Sequence, residues 1–104
     1  MRVAPCLMAL WLAVAVSACV DRPEENATGE QIYVEICARC HSGDLSGGVG
    51  PALDAGSNAA SQPDEFLISA ITDGIGRMPS FARTLTQGQI ERLVEYLRLV
   101  QGGT

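Results

Sequence analysis

Residues 37–41 read Cys37-Ala38-Arg39-Cys40-His41, and the fold follows from what precedes them. Thr28-Gly29-Glu30-Gln31 has the form of a capping box, with Thr at the N-cap and Gln three residues on, and Glu30 adds negative charge to the helix's positive end. A helix is therefore predicted to begin here. Ile32, Ile36 and Cys40 recur at four-residue spacing with Tyr33 and Cys37 beside them, so one apolar stripe runs into the pair of cysteines. On a helix, residues i and i+3 face the same way, so both thiols point to one side and the histidine follows at once.

This C-x-x-C-H run is the attachment signature for c-type haem. Two thiols on one helix face can reach the two vinyl groups on one edge of a porphyrin, and the next residue turns its imidazole toward the iron. Three other chemistries compete. Zinc needs four Cys or His ligands, whereas His41 is the one histidine and Cys6 and Cys19 fall in the leader region. A thioredoxin-like pair expects a strand and a βαβ pattern around it, and none is visible. A structural disulfide in an exported domain remains open on the two cysteines alone.

An iron with both axial positions filled needs a second ligand. The chain has no lysine and no second histidine, and Met1 and Met8 lie in the leader, which leaves Met78. It stands directly before Pro79, which biases it toward an extended loop from which a thioether can point inward. The plainer role for one methionine is core filler. Its place in a glycine-rich, proline-bounded loop favours ligation in the His/Met manner.

Around these residues the chain is helix and loop. Residues 42–62 are rich in Gly, Ser, Ala and Asn with no period, which predicts an irregular loop, and loops of that length usually wrap or do something. Pro63 and Asp64 open a short helix carrying Leu67, Ala70 and Ile71, closed by Gly74. Residues 76–83 are again irregular. Thr86 and Gln89 repeat the capping box, and Ile90, Leu93, Val94, Leu97 and Val100 form a sustained amphipathic stripe. With no convincing strand alternation, the class is small and all-α.

The chain of 104 residues opens on Met1-Arg2 and an apolar run with the form of a secretion signal, ending Val16-Ser17-Ala18-Cys19. That ending resembles the bacterial lipoprotein box, which would make residues 1–18 a signal and Cys19 the lipidated first residue. A type I cleavage near Ala18 and an uncleaved anchor helix are the competing readings. Residues 21–27 are polar and contain Pro23, so residues 19–27 read as a tether to a folded domain of residues 28–104, kept close to the membrane. Without Arg2, six arginines face twelve carboxylates, a net charge of −6 that argues against nucleic acid and bare anionic lipid. A protein partner would have to be neutral or basic where it meets the acidic surface.

Residues 28–101 as a whole resemble the class I bacterial cytochromes c. The resemblance rests on Gly29, Ile32 and Tyr33 before the cysteine motif, on Gly50-Pro51-Ala52-Leu53, on Met78-Pro79 and on Tyr96-Leu97 in the last helix. It implies three or more helices wrapped around one covalently bound haem c with His41 and Met78 on the iron. It further implies that the Pro51 carbonyl accepts the other ring hydrogen of His41, and that Gly29 lets the first and last helices cross against Tyr96. The function implied is single-electron transfer between membrane-bound redox partners on the periplasmic side of a bacterial membrane, by a carrier and not an enzyme. A peroxidase-like haem enzyme and a haem-based redox or gas sensor are the alternatives, and each needs an open iron site.

Overall fold

In the computed structural model, which describes residues 22–102, three helical segments and their connecting loops enclose one small core. The first segment is composite: α1 spans Gly29–Ile32, a π turn spans Tyr33–Cys37, and α2 spans Ala38–His41. A short 3-10 turn at Asn58–Ser61 interrupts the loop that the sequence predicts as wholly irregular. Helix α3 spans Asp64–Asp73 and α4 spans Gln87–Val100. None of the helices among the described residues is long and apolar enough to cross a membrane.

Both predicted capping boxes form. Thr28 Oγ1 accepts from Gln31 N (3.1 Å) while Gln31 Oε1 accepts from Thr28 N (2.9 Å), and Thr86 and Gln89 repeat the exchange. Each box satisfies two backbone donors that a helix start leaves without partners. The predicted stop at Gly74 also holds, at φ +83°, a value that favours glycine.

Helix α4 organises the domain. Its stripe of Ile90, Leu93, Val94 and Leu97 is buried together with Ile32 and Tyr33 of the first segment and Leu67 and Ile71 of α3. Full burial of each such side chain is worth about 1.5–3 kcal/mol. The crossing of α1 and α4 depends on Gly29: a Cβ there would lie 2.2 Å from the Arg92 carbonyl oxygen and 2.8 Å from Tyr96 Cβ. Behind that contact the rings of Tyr33 and Tyr96 meet with centroids 5.7 Å apart.

Polar side chains of α4 also fasten the segments that have no periodic pattern of their own. Gln89 donates to the Glu24 carbonyl (3.0 Å), and Arg92 donates to the carbonyls of Ala27 (3.1 Å) and Glu25 (2.9 Å). Pro23 and Ala27 are buried. From Pro23 onward the stretch that the sequence assigns to a tether is thus packed into the domain, because its backbone carbonyls find donors 65 and 67 residues away. At the other end of α4, Arg98 pairs with Asp64 (2.8 Å) and donates to the carbonyls of Ala59 and Gln62, while Gln101 donates to the Leu53 carbonyl (2.9 Å). One guanidinium and one amide fix the long loop against the helix. The leader and Cys19 lie outside the described residues.

Candidate haem site

The π turn sets the register between the two ends of the first segment. Ile32 and Tyr33 face α4 and are fully buried, whereas Cys37 is half-buried and Cys40 exposed. The Ala38 N–H reaches back to the Tyr33 carbonyl, five residues away, so the backbone takes one residue more than an α turn holds. Val34 and Glu35 bulge into solvent, and the cysteines face another side than continuous α-helix would give them. Such π turns occur often at functional sites.

The end of α2 leaves carbonyls without helical partners, and the loop after it turns back to satisfy them. Gly47 N donates to the His41 carbonyl (2.9 Å), and Gly50 N donates to the Cys40 carbonyl (2.8 Å). This return requires a left-handed Ser42 at φ +80°, a conformation held by the buried Tyr33 hydroxyl, which donates to the Ser42 carbonyl at 2.6 Å. Burial raises the Tyr33 phenol to about 12, so it stays a neutral donor. Ser42 and Ser46 hydroxyls and the Ser46 N–H converge on Asp44, whose carboxyl they hold below its usual range.

The returning loop delivers Pro51 to His41. His41 Nδ1 lies 2.7 Å from the Pro51 carbonyl oxygen, and since a carbonyl only accepts, Nδ1 carries the hydrogen. In the neutral imidazole Nε2 then holds the lone pair. The residue is 8% exposed, and among the described residues nothing else hydrogen-bonds its ring. Gly50 packs on the imidazole so closely that a Cβ would come within 2.8 Å of Cε1. The sequence shows Gly50 only as part of a turn; its contact with the ring was not legible there.

Met78 is placed by the same device at the end of α3. Phe81 N donates to the Ile71 carbonyl (2.9 Å) and the Ser80 hydroxyl to the Thr72 carbonyl (2.6 Å), closing the helix end. Ile75 and Met78 exchange backbone hydrogen bonds of 3.1 and 2.9 Å across a two-residue turn, Gly76-Arg77. Cys37, Met78, Ile36, Leu53 and Phe81 are all partly buried apolar residues packed against the core.

This donor set fits a flat apolar group that carries a metal. His41 is a largely buried residue whose second ring nitrogen has no hydrogen-bond partner among the described residues. Beside it stand two free thiols, and burial together with the neighbouring Cys40 pushes the Cys37 thiol up to about 12. No three His, Cys, Asp or Glu side chains cluster to hold a bare metal ion among the described residues.

The family model described as "Cytochrome C oxidase, cbb3-type, subunit III" matches residues 24–97. The chain belongs to the c-type cytochromes. Cytochrome c55X of Stutzerimonas stutzeri is 34% identical to it over 98 residues, covering 92% of this chain and 80% of that protein. A nicotinate dehydrogenase polypeptide of Pseudomonas putida is 31% identical over 98 residues, a match that covers 84% of this chain and 8% of that one. Among solved structures, a c-type cytochrome NirC superposes with a TM-score of 0.59 at 30% identity over 71% of this chain and 86% of that one. Cytochrome cL from Hyphomicrobium denitrificans gives a TM-score of 0.63 at 32% identity over 70% of this chain and 45% of that one.

The cytochrome accordingly has the small, all-helical cytochrome c fold, binds haem c covalently, and transfers electrons as a carrier, not an enzyme. Proteins of this family are typically exported to the periplasm and act with protein redox partners.

Proposed function

We propose that the cytochrome is a membrane-tethered carrier of single electrons between protein redox partners. In this reading Cys37 and Cys40 would hold the porphyrin through thioether bonds, and His41 and Met78 would bind its iron. The Pro51 carbonyl orients His41, and a lipid on Cys19 anchors the chain at the periplasmic face of a membrane, beside membrane-bound donors or acceptors. The observation that carries it is the His41 ring, in a residue only 8% exposed, whose Nδ1–H is committed to the Pro51 carbonyl at 2.7 Å, leaving Nε2 to bind iron. A carbonyl partner of this kind fixes the ring and raises the basicity of the binding nitrogen.

When bound, the group would supply a one-electron couple, and His41 and Met78 would hold it in both oxidation states. The residues of this chain keep it so. Met78 offers a soft thioether that favours the reduced metal, and the half-buried Ile36, Leu53 and Phe81 exclude water and favour the less charged state. Two relatives named as dehydrogenases, the nicotinate dehydrogenase polypeptide and quinohemoprotein alcohol dehydrogenase ADH IIB, both of Pseudomonas putida, match this chain over 8% and 11% of their lengths. They support a dehydrogenase as one class of electron donor.

The visible spectrum of protein matured in an export host with haem-attachment machinery tests the site. Haem that survives denaturation and solvent extraction, low-spin and with a ferric methionine-to-iron band, is expected. Retained high-spin haem would remove Met78 from the iron, and no retained haem would overturn the site altogether. The tether is tested apart from it: Cys19→Ser should move the haem-bearing protein from the membrane fraction to the soluble periplasmic fraction, and unchanged membrane partition would refute lipidation.

A further inference from the structure

The loop that delivers Pro51 to His41 starts from a strained residue. Ser42 stands at φ +80° and ψ 147°, at the edge of a region that glycine alone adopts readily. Three residues on, Leu45 is also at positive φ, +64°, and it is buried. Two non-glycine residues in such conformations within one short loop persist only where their surroundings hold them. Leu45 is held by its burial and by Leu53 N, which donates to its carbonyl at 2.8 Å. The Ser42 carbonyl accepts twice, from Leu45 N at 3.0 Å and from the Tyr33 hydroxyl at 2.6 Å.

The bond from Tyr33 differs in origin from the rest. Ser42, Asp44 and Ser46 bond to one another within the loop. Among the described residues, Tyr33 and His41 are the two side chains outside residues 42–51 that hydrogen-bond to that stretch. Tyr33 is fully buried against α4, with its ring beside that of Tyr96, so its hydroxyl is a fixed point. The same residue closes the π turn through its carbonyl, which accepts from Ala38 N. Tyr33 therefore brackets the Cys37–His41 motif, by its backbone before the cysteines and by its side chain after the histidine.

We propose that Tyr33 is a positioning residue for His41: its hydroxyl fixes Ser42, and with it the loop whose Pro51 carbonyl accepts from His41 Nδ1–H. The strength of that hydrogen bond, and through it the donor strength of Nε2, is thus set from the core. The proposal rests on the haem-site reading above, in which Nε2 binds iron. A firm bond at Nδ1 makes the imidazole a stronger donor and favours the oxidised, more highly charged metal. Loosening the loop should therefore raise the reduction potential.

The test is Tyr33→Phe in the haem-bearing protein, which keeps the ring in the core and removes the hydroxyl alone. Its reduction potential is measured, and proton NMR of the reduced protein follows exchange of the His41 Nδ1–H with solvent. The expected result is a potential above the parent's and exchange roughly five- to tenfold faster, about what the net worth of one hydrogen bond converts to. Tyr96→Phe removes the hydroxyl of the adjacent ring, which bonds to no residue of the loop, and should leave both readings at the parent's values. A tyrosine that only fills the core would lower the melting temperature and move neither reading. Ser42→Gly provides the second background, because glycine takes φ +80° unaided. There the added Tyr33→Phe should shift both readings much less than in the parent. If Tyr33→Phe alone takes up no haem, adding Ser42→Gly should recover uptake, and failure to recover it would overturn the proposal. An unchanged or lower potential, unchanged exchange, or equal shifts in the two backgrounds would overturn it as well, with the parent's haem spectrum intact. Haem lost from the parent on denaturation and solvent extraction would overturn the site reading and this inference with it.

Discussion

Replacing Met78 by Ala in the haem-bearing cytochrome is expected to turn its spectrum from low-spin to high-spin and to lower its reduction potential by on the order of 0.1–0.3 V, within the roughly 0.8 V that axial ligands span. The chain holds no lysine and one histidine, and Met1 and Met8 fall in the stretch read as a leader, so the folded domain has no second histidine, lysine or methionine to fill the position. The loop itself should stay in place. Its hydrogen bonds run from the backbone of Ile75, Met78 and Phe81 and from the Ser80 hydroxyl, none of them through the thioether. An open iron site should then bind cyanide or peroxide, and peroxidase turnover absent from the parent should appear. Met78→His should restore a low-spin spectrum without restoring the potential, because a second nitrogen lacks the soft sulfur's preference for reduced iron. A low-spin spectrum and an unchanged potential in Met78→Ala would remove this residue from the iron.

The second large effect is expected at Gly29. Gly29→Ala adds one methyl group, yet that carbon would lie 2.2 Å from the Arg92 carbonyl oxygen and 2.9 Å from its carbonyl carbon. Backbone in the middle of a helix cannot yield as a flexible side chain does, so α1 and α4 must separate. Ile32, Tyr33, Leu93 and Leu97, all buried at that crossing, would lose contact together. The expected loss is about 4 kcal/mol or more in a denaturant melt of the holoprotein, at the high end for one substitution and a large part of a small domain's stability. Gly88→Ala is the contrast. It sits in the first turn of α4, where a Cβ would meet only the end of the Arg92 side chain at 3.7 Å. There the gain in helix propensity should stabilise by up to about 1 kcal/mol. A Gly29→Ala protein melting within about 1 kcal/mol of the parent would show that the helices part without consequence.

These two residues stand differently with respect to the sequence. Met78 came forward by elimination, and the structure adds the two turns of backbone that hold it. Gly29 came forward only through a resemblance, because nothing local distinguishes a glycine beside a cap from a glycine under a crossing helix. The contact that gives it meaning lies more than sixty residues away, at Arg92.

The same division runs through the molecule. Within four or five residues, sequence chemistry decided the outcome: the capping boxes at Thr28 and Thr86, the stop at Gly74, the stripe on α4 and the thiol pair before His41 all depend on near neighbours. The tertiary structure alone decided the rest. It made a π turn of Tyr33–Cys37, where one segment has to face α4 at one end and present cysteines at the other. It took Pro23 to Ala27 out of the tether because Gln89 and Arg92 supply donors for that stretch. It turned Arg92 and Arg98 toward backbone carbonyls and left Arg22, Arg39, Arg77 and Arg83 exposed. Total charge is a property of composition, whereas its distribution depends on which side chains the distant backbone engages, and only the folded chain brings that backbone within reach.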